Sequence, residues 1–574
     1  MSRYSIIDYL SCIAFRLVSA TARVLPLRLT LFLGSCLGQL LYAFDFKHKA
    51  IVYANIKRAF NATLALPRVK SLAKEFYRSF GQSLLEIFLI PLVDKKYMDK
   101  YITIEGAEFI QEAFKKGKGI IFLGVHAGSW ELSNIICANL GFSFNLFVRN
   151  QRYKRLDALL NYYRTRKGCK IIQRQNQMRG LIQALKNNEA IGMTADQGGK
   201  SGEQVEFFGK VASMPTGALR LALKYDVVIL PAFHTRINGP YLKVVIRPPF
   251  KLQRTGDKDK DIRENLKAVM KIFEGLIQRY PKDYLWTYKI WKYTKEKSIL
   301  ILGDGKAGHL RQSQSTAQIL SDCLKDRGIS AKINTIEVKF KNRFCRLSLD
   351  LSSLLAKKYH CQSCLWCLRR FLDGHYYKSL VAVMPDFIIS CGAALSSINY
   401  ILSSENLSKS IVIMRPGILS AKRFDLAIIP EHDRQPGRKN IVATEGALNL
   451  INEDYLKEEG QALQKQIPLP RGLSFGLLLG GNTKAFSLNA AVVAQVLSQI
   501  KRSVEKHEAK ILASTSRRTP AGIENLLKQE LKNYPRCGIL VVASENNPSF
   551  AVGGILDLSK IIIVSPESIS MISE

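Results

Sequence analysis

At 574 residues the chain is too long for one ordinary hydrophobic core, so two or three domains are expected. Lys and Arg outnumber Asp and Glu by 84 to 47, and the resulting charge of +37 calls for anionic partners. With no helix-turn-helix, zinc-finger pair or aromatic RNA-binding strand, that charge does not indicate nucleic acid; a membrane surface and acidic ligands suit it better. The 11 cysteines are scattered without a framework, which fits a reducing, cytoplasmic setting.

Residues 1–44 are apolar but interrupted by Arg16, Arg23 and Arg28, with no cleavage-like pattern after them. The longest uncharged run, Leu29 to Phe44, falls short of the roughly twenty residues of a spanning helix. Interleaved arginines suit a helix lying among headgroups, so 1–44 is expected to be a membrane-associating helical segment. A helical hairpin packed on the domain's own core is the alternative. Residues 45–100 show apolar positions at three-to-four spacing and predict helices over the face of a following sheet. From 101 to 290 short β-rich runs (KGIIFLGV, FNLFVRN, EAIGMTAD, VVILPAF) alternate with helical ones, the grammar of an α/β layer fold. A basic aromatic stretch closes this unit near Lys295, giving a domain over 45–295. A fresh strand at Ser298 opens two Rossmann-like lobes, 298–467 and 472–574, divided near Pro468 to Gly472. The chain stops inside SPESISMISE, so the second lobe is expected to be incomplete.

His126 and Glu131 stand five positions apart where an apolar strand ends and an amphipathic helix begins. A neutral imidazole can take a hydroxyl proton during attack on a carbonyl, provided an anion holds its other nitrogen; Glu131 is the expected anion. Backbone amides near Gly128 and Ser129 could hold the oxyanion. Arg149 and Arg164 could bind phosphate or pantetheine. Asp196 and Gln197 end a strand, where open sheets carry function. Phe207, Phe208 and Gly209 could wall an acyl pocket, although core packing explains them equally well. Cys137 and Cys169 are read as bystanders, since the mechanism needs no covalent intermediate.

His-Ala-Gly-Ser-Trp-Glu, then RGLIQALKNNEAIGMTADQ, VEFFGKVASMPTGALRLALKYDVVILPAF and YLWTYKIWK occur in one order over about residues 5 to 292. Together they resemble the lipid A late acyltransferase family and its glycolipid acyltransferase relatives. The resemblance implies a glycerol-phosphate-acyltransferase-like α/β domain at the cytoplasmic face of the inner membrane. It also implies acyl transfer from acyl carrier protein to a hydroxyl of an anionic membrane glycolipid such as a lipid A precursor; no cofactor is expected.

In the second half, Gly303, Gly305 and Gly308 have Gly-x-Gly-x-x-Gly spacing between a strand and a helix, with Lys306 and His309 adding positive character. A phosphate cradle and a tight structural turn fit this motif about equally. HCQSCLWCLRRFLDGH places Cys361, Cys364 and Cys367 near one face of a helix with no second pair, so packing is preferred to a metal site. GDGKAGHLRQS, FDLAIIPEHDRQPGRKNIVATEGALN, LLLGGNTKAF, ASTSRRTP and NNPSF resemble the mitochondrial-fission ELM-like family over about 298 to 574. That resemblance implies a two-lobed GT-B-like scaffold and a nucleotide sugar as ligand. Gly480, Gly481 and Asn482 would face the cleft; Arg517, beside Ser516 and Arg518, could neutralise a diphosphate, and Glu431 and His432 end the first lobe. A fusion makes sense if both halves act on one envelope glycolipid. The rival readings are a non-catalytic membrane scaffold and a glycosyltransferase with an inert first half.

Overall fold

Pro26 separates the first two helices, α1 (Arg3–Val24) and α2 (Leu27–Phe44), because its ring fixes φ near −53° and its nitrogen has no hydrogen to donate. Helices α3 (Phe46–Phe60) and α4 (Leu66–Leu89) follow. A computed structural model describes residues 3–60, 63–148, 152–173, 177–357, 359, 362–433, 437–449, 451–467, 472–482, 486–566 and 572. The backbones of α2 and α4 nearly touch. A Cβ on Gly38 would lie 1.9 Å from the Tyr77 carbonyl oxygen, and one on Gly81 2.2 Å from that of Gly34. Small residues at such spacing permit this approach, as in membrane helix pairs. α2 therefore buries Leu31 and its glycines against α4 while Phe32, Leu33, Leu40 and Phe44 stay exposed. By length and composition α2 could cross a membrane, yet 22% of it is buried inside the protein. α1 is tied down as well: Ser19 Oγ donates to the Phe88 carbonyl at 2.9 Å, and the Phe15 and Phe88 rings are 4.5 Å apart.

The first sheet comprises β1 (Ile102–Glu105), β2 (Ile120–Gly124), β3 (Phe144–Val148), β4 (Cys169–Gln173) and β5 (Ala190–Thr194), with β8 (Val228–Asn238) and β9 (Tyr241–Ile246). Its order is β1-β9-β8-β2-β5-β3-β4, parallel except for the β8–β9 pair. Central β2 and β5 read as continuous apolar runs because helices cover both faces. On one face Val52, Ile56, Phe76 and Tyr77 of α3 and α4 join Ile121, Leu123 and Ile191 in a single core, as the helical periodicity predicts. A separate hairpin pairs β6 (Glu203–Phe207) with β7 (Lys210–Met214).

The second half holds two parallel sheets. One joins β10 (Glu296–Gly303), β11 (Ser330–Glu337), β12 (Phe387–Cys391), β13 (Lys409–Ile413), β14 (Leu426–Pro430) and β15 (Ile441–Thr444) in the order β11-β10-β12-β13-β14-β15. The other joins β16 (Ser474–Leu479), β17 (Lys510–Thr515), β18 (Cys537–Val541) and β19 (Ile561–Val564) as β18-β17-β16-β19. Both are doubly wound orders in which the chain reverses direction beside its first strand. Residues 468–471 and most of the last eight lie outside the described residues.

The two halves meet through buried polar groups. Lys57 of α3 donates to Glu405 Oε1 at 3.0 Å and to Asn406 Oδ1 at 2.8 Å. The same carboxylate receives the Tyr53 hydroxyl at 2.6 Å and the Ser363 amide at 2.7 Å. Lys57 and Glu405 have almost no solvent exposure, so their partners must replace all lost hydration.

Candidate active site

Strand β2 ends at Gly124, and the next two residues bring His126 to the sheet's carboxyl edge. Neighbouring β5 ends at Thr194 and places Asp196 at the same edge. The result is a direct pair: His126 Nδ1 lies 2.8 Å from Asp196 Oδ1, while Asp196 Oδ2 accepts the His126 amide at 3.1 Å. Asp196 is buried and also hydrogen-bonded to the buried Tyr284 hydroxyl, so the carboxylate is fixed from two sides. Gln197 Nε2 lies 3.1 Å from Nδ1. With Nδ1–H committed to Asp196, Nε2 is the nitrogen left to act as a base. Burial pulls the imidazole pKa down, but the charge and hydrogen bond of Asp196 outweigh it and leave His126 above its ordinary value.

Glu131 does not hold His126, contrary to the sequence expectation. It lies in the first turn of the helix Trp130–Ala138 and receives Arg164 in a two-pronged pair at 3.0 and 2.7 Å. The helix geometry turns it toward the Lys154–Arg166 helix, and Asp196, assigned from sequence only to substrate binding, takes the orienting place. Arg164 is consequently a buried partner of Glu131 and Asn161, not a free phosphate ligand. Gly128 is corrected too. Its amide donates to the Asp283 carbonyl at 2.7 Å and so is unavailable to an oxyanion. A positive φ of 57° and only 2.8 Å between its hypothetical Cβ and the His234 carbonyl oxygen explain the glycine. Ser129 precedes the helix, and its buried Oγ has no hydrogen-bond partner among the described residues. Arg149 lies outside the described residues.

His126, Glu131 and Arg164 all line one cavity of about 480 Å³, whose apolar wall includes Phe122, Trp130, Leu146 and Met193. That size suits a small-molecule site. Phe208 is not among its lining residues. It occupies the turn of the β6–β7 hairpin at φ 52° and packs on Phe60 and Trp286, because the alternating register there pairs strands rather than opening a wall. Burial pushes the thiols of Cys137 and Cys169 up to about 12, which keeps them protonated and out of nucleophilic chemistry. Two participants escaped the sequence reading. His234 on β8 lines the cavity, and burial pushes its pKa down to about 4, so it is neutral. Tyr284 bridges to Ala127, and the next residue's amide donates to the His126 carbonyl at 2.8 Å, so this segment braces the loop bearing His126. Its signal was the YLWTYKIWK motif, whose role no local pattern reveals.

In the second half the glycine-rich loop is already filled by the protein's own acids. The Gly305 amide donates to Glu337 Oε2 at 2.9 Å and the Lys306 amide to Asp304 Oδ1 at 3.3 Å. Lys306 and His309 both pair with Asp304, at 3.3 and 2.9 Å. Gly303 lies directly against the Glu337 carboxylate. These contacts contradict an open phosphate cradle. The Gly480 amide is taken by Ser565 Oγ at 2.7 Å, Gly481 packs on the Arg518 carbonyl, and Asn482 accepts the Leu488 amide at 2.8 Å. Arg517 is exposed. Gly308 does reach a cavity of about 320 Å³ between the lobes, with Arg311, Asn449, Tyr455 and Ser549. Glu431 and Asp433 flank a short turn, Cys361 lies outside the described residues, and Cys364 is exposed. No group of three or more metal-ligating side chains occurs among the described residues.

A carboxylate-held imidazole at the edge of the sheet, beside a largely apolar cavity with its thiols kept protonated, is a site fit for general-base chemistry, and the similarity of the first half to known proteins makes it an acyltransferase. The chain belongs to the bacterial lipid A biosynthesis acyltransferase family, whose family model matches residues 2–293. Residues 307–574 match the mitochondrial fission ELM1 family model. Among curated relatives, the lipid A biosynthesis palmitoleoyltransferase of Escherichia coli is 25% identical over 276 residues, covering 47% of this chain and 86% of that protein. The lauroyltransferase of the same organism is 24% identical over 277 residues, covering 47% and 88%. A phosphatidylinositol mannoside acyltransferase of Mycobacterium tuberculosis is 22% identical over 160 residues, covering 27% and 51%. Among solved structures, the UDP-GlcNAc 2-epimerase of Methanocaldococcus jannaschii aligns with a TM-score of 0.30 at 11% identity, covering 47% of this chain and 78% of its own. The 1-acyl-sn-glycerophosphate acyltransferase of Thermotoga maritima aligns at 0.23 and 14%, covering 45% and 97%.

Proposed function

We propose that this chain moves a fatty acyl group from acyl carrier protein to a hydroxyl of a lipid A precursor or related anionic membrane glycolipid, at the cytoplasmic face of the inner membrane. The observation that carries the reading is the 2.8 Å contact between His126 Nδ1 and Asp196 beside the cavity. Nε2 of His126 removes the acceptor hydroxyl proton as that oxygen attacks the thioester, and the buried Asp196 carboxylate stabilises the imidazolium. The thiol of the carrier leaves with a proton. The amino end of the Trp130–Ala138 helix supplies positive potential near the developing oxyanion, while Glu131 and Arg164 shape the polar wall. The excess of basic side chains favours both an acidic carrier and a phosphorylated acceptor. The exposed apolar faces of α1 and α2 support the membrane setting.

Purified full-length protein should acylate a lipid A precursor from acyl carrier protein. Absence of transfer by folded, cavity-intact protein would sink the reading. For the second half we infer a GT-B-like module that binds a nucleotide sugar in the 320 Å³ cleft between the lobes rather than on the glycine-rich loop. Calorimetric titration with uridine diphosphate sugars tests this, and Tyr455→Ala should weaken binding where Gly305→Ala does not.

A further inference from the structure

The helix Arg343–Leu355 has two apolar faces. Cys345, Leu349 and Ser353 point into the lobe, and Ser353 Oγ meets Ser397 Oγ at 3.0 Å. Arg423 clamps the helix end by donating to the carbonyls of Ser353, Leu354 and Ala356 at 2.7, 2.6 and 3.0 Å. The opposite face carries Phe344, Leu347, Leu351, Leu354 and Leu355, all exposed, up to 74% for Phe344 and 87% for Leu355. These positions fall within about a third of the helix circumference, the layout of a helix lying in an interface. The neighbouring helix Trp366–Phe371 adds Trp366, 66% exposed.

Charge identifies what covers this face. Residues 339–378 contain nine Lys and Arg against two Asp, and Lys339, Lys341, Arg343, Arg346, Arg369 and Arg370 are exposed on this helix, its approach and the neighbouring helix. An exposed apolar stripe in a strongly basic segment, with an amphipathic tryptophan beside it, matches an anionic bilayer surface, where the stripe enters the acyl boundary and the cations meet phosphates. Position agrees. Gln362, four residues before Trp366, donates to the Ala50 carbonyl of α3 at 3.1 Å, only six residues beyond exposed Phe44 at the end of α2.

We propose that the outer face of Arg343–Leu355 together with Trp366 is a lipid-contacting surface of the second half, separate from the N-terminal helices. It is independent of the reaction assigned to either half. It seats the first lobe on anionic lipid, so both halves are held to one surface.

The test binds full-length protein to vesicles of equimolar phosphatidylcholine and phosphatidylglycerol with brominated acyl chains. Trp130, Trp286 and Trp291 are buried or half-buried, so the Trp366 signal is isolated by subtracting the Trp366→Phe variant. Quenching of that signal is expected, and Leu347→Ser/Leu351→Ser/Leu355→Ser, changed only at exposed positions, should abolish it while the protein still pelleted through α1 and α2. In a background with Phe32, Leu33 and Leu40 changed to Ser, Arg369→Glu/Arg370→Glu should weaken the residual vesicle affinity roughly tenfold or more. An unquenched Trp366 signal on vesicle-bound protein overturns the proposal. So does shielding of Trp366 from iodide by raising protein concentration without vesicles, which would make a second copy the occupant.

Discussion

Of the three histidine–aspartate pairs among the described residues, one is a half-exposed i,i+3 pair at a helix start, His48–Asp45; the other two sit beside strand ends at nearly equal length, His126–Asp196 at 2.8 Å and His309–Asp304 at 2.9 Å. Their surroundings differ. The first reaches across two strand ends, is braced by Tyr284 and borders a cavity; the second spans one strand-to-helix turn, shares its carboxylate with Lys306 and packs on Gly392. A paired imidazole becomes a base only where its second nitrogen meets space for a substrate, and proximity in the chain says little about that.

His126→Ala should lower acyl transfer about 10⁴-fold while His309→Ala leaves it unchanged. Steady-state rates with acyl carrier protein as donor measure both. Next is Asp196→Asn, expected to cost roughly 10²-fold or more because the ring loses its fixed tautomer. The parent rate should fall as pH drops through a value above the ordinary 6.5 of histidine, since the protonated ring cannot accept a proton. With both pKa-raising contributions of Asp196 removed and burial remaining, the limb of Asp196→Asn should shift to lower pH; a limb that stays in place would contradict the pairing. The same raised pKa contributes stability that is complete below 6.5 and lost as pH rises through the folded-state value, visible in the pH dependence of unfolding.

Smaller effects probe the interface and the idle loop. Lys57→Met strands the buried Glu405 carboxylate and should destabilise the chain by about 3 kcal/mol in denaturant unfolding, with partial recovery in Lys57→Met/Glu405→Gln. Gly305→Ala imposes a side chain at φ 78° in open space and should cost about 1 kcal/mol without touching acyl transfer.

His126 was legible because it follows an apolar strand and precedes a helix. Its partner was misassigned because Glu131 is five residues away in sequence, whereas Asp196 becomes adjacent only through the parallel β2–β5 pairing. The glycine-rich loop has the same lesson in reverse. Its spacing was plain, but the Gly303–Glu337 register of β10 and β11, which delivers the acid that fills it, is a property of the sheet. Helices α3 and α4 were readable from periodicity, whereas Phe208 was not placed because a hairpin turn and a pocket wall share the same composition.

The glycine seam between α2 and α4 has a mechanical consequence. With no side chains between Gly34, Gly38 and Gly81, the backbone of α2 rests directly on that of α4, whose Phe80 stacks on Trp130 at the cavity, 6.1 Å between centroids. The membrane-facing candidates of α2 and the wall of the cavity are thus joined by two direct contacts, the glycine seam and the Phe80–Trp130 stack.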